Sequence, residues 1–147
     1  MNYNYFATLP MMAVACCFMF VSCEDIEGIQ IALSPQATVA VGEEFTTTMT
    51  LSNSSGSDQE LFSVDVGDDY HDGFILMSSE PLYLESTHIP IDNSISYTFH
   101  QTIPAGGSLE LRFHWKAVKM GDFNDEMDFC INSEFNFISM IQRTIVN

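Results

Sequence analysis

The chain has 147 residues, 20 acidic and 4 basic, with a formal charge of -16, a pI near 4.1 and 46% hydrophobic residues. That length accommodates one domain with its own core, and the hydrophobic fraction is too high for a disordered acidic tail. The charge excludes a surface built to neutralise several phosphates, so nucleic acid is not an expected partner, and an anionic bilayer surface repels the body of the protein.

In chain order, residues 11–21 come first, reading MMAVACCFMFV, eleven consecutive apolar residues. As a helix they would span about 16 Å, short of the roughly 30 Å hydrocarbon core, which suits a signal-peptide h-region better than a membrane span. The run ends in Val21-Ser22-Cys23, and Glu24, Asp25 and Glu27 follow closely. This arrangement resembles the lipobox of bacterial lipoproteins, in which the leader is cut before a cysteine that is then acylated. The segment before the apolar run has no Lys or Arg, so only the terminal amine is positive there. The resemblance implies a signal peptide over residues 1–22, a lipidated tether over residues 23–29 beginning at Cys23, and an anchor in the bacterial outer membrane outside the cytoplasm. Acidic residues just after the cysteine also resemble the export signal of surface-exposed lipoproteins. The alternative makes residues 11–21 a buried strand or helix and Cys23 an ordinary core residue. Cleavage would discard Cys16 and Cys17 and leave Cys130 without an intramolecular partner, so no disulfide framework is expected.

From Gln30 onward the hydrophobic period is two. A first strand is expected around residues 29–41, interrupted by Pro35. In FTTTMTL, Phe45, Thr47, Met49 and Leu51 share one face, and the polar stretch 52–60 separates this strand from LFSVDV, where Phe62, Val64 and Val66 alternate with Ser63 and Asp65. A short strand FILM follows at residues 74–77. In ISYTF, Ile95, Tyr97 and Phe99 share a face, and the Pro-Gly turn at residues 103–107 reverses the chain into SLELRFHWK. There Leu109, Leu111, Phe113 and Trp115 point inward, with Glu110, Arg112, His114 and Lys116 outward. Two further strands carry Met127, Phe129 and Ile131, then residues 135–146. Seven or eight short strands with Gly, Pro, Asn and Ser turns predict an all-β Greek-key sandwich over residues 30–147. The order of turns and strands, from GEEFTTTMTLSNSSGS through IPAGGSLELRFHW to KMGDF and DFCINS, resembles Hydin-type Ig-like modules. That resemblance implies an Ig-like fold and little chemistry.

Carboxylates concentrate at Glu43-Glu44, in residues 65–72 and in residues 122–128. On Ig-like connectivity these are the A-B turn, the loop after strand C and the loop between strands E and F, all at one pole. Calcium takes about six to eight oxygen ligands, so Asp68, Asp69, Asp72, Asp122, Asn124 and Asp125 form a candidate Ca²⁺ site, although EF-hand spacing is absent. The alternative is a solvated, repulsive loop end. His71, His88, His100 and His114 lack metal-ligand spacing and read as surface residues, while Cys130, on the opposite parity to Phe129, reads as an inert small side chain. With no nucleophile elbow, phosphate loop or zinc-helix motif, no enzyme is expected, and no cofactor apart from that calcium. Phe74 to Met77, then Leu82, Tyr83, Leu84, Ile138, Met140 and Ile141, place apolar groups on both strand faces. Either the loop over residues 78–94 folds back over them, or they form a strip for another chain. The expectation is a membrane-anchored lipoprotein acting as a non-enzymatic binding or scaffolding module for a protein or glycan. The alternative is a calcium-binding Ig-like adhesion module.

Overall fold

The computed structural model describes residues 26–147, so the leader and Cys23 lie outside the described residues. Within them, alternation builds ten strands: β1 (Ile29–Leu33), β2 (Ala37–Val39), β3 (Glu44–Asn53), β4 (Gln59–Gly67), β5 (Phe74–Glu80), β6 (Glu85–Ile89), β7 (Ser94–Ile103), β8 (Ser108–Ala117), β9 (Gly121–Ile131) and β10 (Phe137–Val146). One helical turn, α1 (Asp68–His71), links β4 to β5. The strands form an all-β sandwich of a four-stranded sheet, β1-β3-β8-β5, and a six-stranded sheet, β2-β10-β9-β4-β7-β6.

The count exceeds the seven or eight expected for two physical reasons. Pro35 has no N–H to donate to a ladder, so the chain leaves β1 there, changes sheets, and pairs β2 in parallel with β10. The first strand is therefore two. Strand β6, ESTHI, has four exposed residues followed by a half-buried Ile89, so no apolar alternation announces it.

The four-stranded sheet has the A, B, E and D positions of an Ig sandwich and the six-stranded sheet the A′, G, F, C, C′ and C″ positions. The chain visits them in an altered order. After β4 it crosses at once to the D position as β5, and only then returns as the β6–β7 hairpin beside β4.

The core lies between the sheets, where Trp115, Phe113, Phe99, Phe74 and Tyr70 meet edge to face, tilted or stacked at centroid distances of 4.5–6.5 Å. Tyr70 of α1 closes one end and is fully buried. Its hydroxyl lies 2.9 Å from Thr144 Oγ1.

The two poles differ. Gly28 O accepts the Ser54 N–H and Asn53 N–H donates to Gly107 O, so the chain enters the sandwich at that end. At the opposite pole Ala117 N–H donates to Glu43 O and Val118 N–H to Gly73 O, which brings together the Glu43 turn, the end of α1 and the β8–β9 turn.

The apolar residues on both faces divide. Phe74 is buried, and Leu76, Tyr83, Ile138 and Met140 pack on the core, whereas Ile75, Met77, Leu82, Leu84 and Ile141 are exposed.

Candidate functional site

The outer face of the six-stranded sheet carries the molecule's densest chemistry. In β9 the odd positions Phe123, Met127 and Phe129 turn toward the core, so the even positions Glu126, Asp128 and Cys130 turn outward. Register then aligns Asp65 of β4 with Asp128, and Asp128 with Ser139 of β10. The bulge between Leu61 and Ser63 puts Phe62 on the same outer face. Residues 122–128, expected as a loop, are thus the first half of a strand. Phe123 and Met127 keep the period-two parity of a half-buried strand, with Asp125 standing on that parity between them.

Two adjoining depressions result, sharing Asp65 and Asp92. The first, about 380 Å³, is walled by Asp65, Asp68, Asp69, Asp92, Asp125, Glu126 and Asp128. The second, about 560 Å³, is lined by the apolar Phe62, Ile89, Phe135 and Phe137, with Thr87, Thr98 and His100 and the carboxylates Glu85 and Glu134 beside them. Phe135 is 85% exposed and Phe137 46%. The Phe62 ring stands edge-on to His100 at 4.7 Å.

Neutral donors hold several of these carboxylates. Asp65 accepts from Ser63 Oγ at 3.1 Å and from Cys130 Sγ at 3.7 Å, and Asp128 accepts from Ser139 Oγ. Asp125 accepts the Asp69 and Glu126 N–H groups at 3.1 and 2.8 Å, fastening α1 to β9. Asp68 lies 2.9 Å from His88 Nε2. Burial raises the Asp128 carboxyl above the ordinary range; the Ser139 hydroxyl opposes this, and Glu126, Asp65 and Asp92 add to it. Burial likewise pushes the Cys130 thiol up to about 12, so it is an inert side chain at neutral pH.

No Lys or Arg lines either depression. Arg112 pairs with Glu80 and Glu110, and Lys116 shares the outer face of β8 with it, both on the other sheet. Lys119 lies 3.8 Å from Asp72, and Arg143 clasps Asp122 through Nε at 2.8 Å. That guanidinium holds the Asp122 carboxyl below the usual range.

The six candidate calcium ligands are divided. Asp68 and Asp125 face the first depression with Asp69, whereas Asp72, Asp122 and Asn124 border a shallower one that Asp69 also touches. Among the described residues, no three His, Cys, Asp or Glu side chains converge so as to hold a metal ion. Of the histidines expected at the surface, His88, His100 and His114 are partnered by Asp68, Glu60 and Glu80, while His71 tucks against Trp115 and Tyr97. Sequence reasoning missed Phe62, Asp65, Asp92, Glu126, Asp128, Phe135 and Phe137 as one group. Period-two parity in DFNDEMDFC was the available signal.

No family model matches the chain, and no curated protein does. Solved structures similar to it include the VesB protease of Vibrio cholerae, at 7% identity and a TM-score of 0.47 over 82% of this chain and 32% of that one. Another is the Pseudomonas fluorescens alkylpurine DNA glycosylase AlkC bound to DNA containing an abasic-site analogue, at 16% identity and a TM-score of 0.43 over 80% of this chain and 30% of that one. The chain spans about a third of the length of either.

Proposed function

We propose that the protein is a lipid-anchored bacterial lipoprotein, acylated at Cys23 and held outside the cytoplasm at the outer membrane. There it serves as a non-enzymatic module that captures a protein or glycan on the outer face of its six-stranded sheet. One observation carries this reading: exposed Phe135 and Phe137 open a groove beside Phe62 and Ile89 on the outer face of the six-stranded sheet. Large aromatic side chains left in solvent around a concavity mark recognition surfaces. The poles agree with a tether, since the chain enters the sandwich at the end opposite α1 and the acidic turns. Charge repulsion from anionic headgroups then favours the acidic pole pointing outward.

Two measurements test the reading on the full chain. Intact mass of native material is expected to show loss of residues 1–22 and added acyl mass on Cys23; an uncleaved, unacylated chain overturns the anchor. Crosslinking on intact cells is expected to recover a partner with the native protein and not with the Phe135→Ser/Phe137→Ser variant, and equal recovery by both overturns the groove.

A further inference from the structure

The groove is richer in apolar side chains at one end, where Glu85 and Glu134 also line it, and acidic at the other, where His88 sits beside Asp68. Seven carboxylates line the first depression, no Lys or Arg joins them, and the chain's four cations lie elsewhere. Along β4 the distance from Phe62 to Gly67 is five residues, about 17 Å at the strand rise of roughly 3.3 Å per residue. That length matches five or six residues of an extended chain. Like charges gathered together repel one another, and an arriving cation relieves that repulsion.

We propose that the groove docks an extended basic segment of a partner polypeptide, with an aromatic or large aliphatic residue seated among Phe62, Phe135 and Phe137 and an Arg or Lys about five residues away among Asp65, Asp92, Glu126 and Asp128. The inference rests on the groove being the binding surface and adds the chemistry of what enters it. The aromatic end supplies area, and the acidic end supplies steering and orientation.

The test is selection of random dodecapeptides displayed on phage against the full chain in detergent, followed by titration of the enriched peptides. The expected result is enrichment of sequences carrying an aromatic or large aliphatic residue and an Arg or Lys about five positions apart. Their affinity should fall about tenfold or more, roughly 1.4 kcal/mol, with Asp92→Asn/Glu126→Gln and again with Phe135→Ser/Phe137→Ser. Asp92 and Glu126 are exposed, so these variants keep the fold. The control Glu43→Gln/Glu44→Gln removes the same charge from a turn that does not line the groove and is expected to leave affinity within about twofold. Equal weakening by that control overturns the proposal, because generic attraction to an acidic protein then suffices. So does enrichment of neutral or acidic peptides, or no enrichment at all. Partner capture on cells that still depends on Phe135 and Phe137 would then leave the groove standing with a different occupant, a glycan among them.

Discussion

Tyr70 carries a hydroxyl into an otherwise apolar interior and finds Thr144, with Gln142 and Thr47 close by. Burial raises its pKa, so the group stays a neutral phenol. Tyr70→Phe is expected to cost about 1–2 kcal/mol in denaturant titrations, because the Thr144 hydroxyl loses its partner in a dry site. His71 shows the opposite sign. Burial lowers its basicity and outweighs the pull of Asp68 and Asp125. The unfolded chain therefore binds a proton that the folded chain refuses. Stability contributed here is present above about pH 6.5, declines as pH falls toward the lowered folded value, and is flat below it. In His71→Gln that component of the pH dependence of the melting temperature should vanish. Asp128 binds its proton more tightly when folded, so ionisation at neutral pH weakens the fold. Asp128→Asn is expected to raise the melting temperature at pH 7, with the gain disappearing below the ordinary carboxylate value of 3.8.

At the scale of elements, α1 is only one turn long and depends on its neighbours. Gly67 at its start leaves room for the Asp125 carboxylate, and a Cβ there would lie 1.9 Å from Asp125 Oδ2. Gly67→Ala should push that side chain off the Asp69 N–H and cost about 1–3 kcal/mol, read by chemical denaturation together with increased amide exchange at Asp69. Strands such as β3 and β8 were legible in the sequence because each buries one face, and the alternation Leu111, Phe113, Trp115 is unmistakable. Strand β6 was not, since it has almost nothing to bury, and β9 was half hidden because a run of carboxylates imitates a loop. The acidic pole was legible as composition. The groove was not, because Asp65, Asp128 and Ser139 meet only through the register of three strands and Asp92 arrives from a turn.

For the whole molecule, the formal charge of -16 acts against compactness, and much of it is gathered around α1 and the outer face of the six-stranded sheet. Raising sodium chloride from 0.01 M to 0.15 M shortens the screening length from about 30 Å to about 8 Å. The melting temperature is expected to rise over that interval in calorimetry, and less so in Asp92→Asn/Glu126→Gln, where part of the repulsion is gone. The same field speeds the arrival of cationic partners and slows that of anionic ones, so association rates with cationic partners should fall with salt even as the fold gains stability.

Strand β2 covers β10 only from Thr144 to Val146. Upstream, from Phe137 to Arg143, β10 has no strand along its outer side among the described residues. The short arm therefore works as a doorstop: a visiting strand that zips onto this bare stretch halts before Thr144, with its registration set by the host and its trailing side chains left beside Phe137.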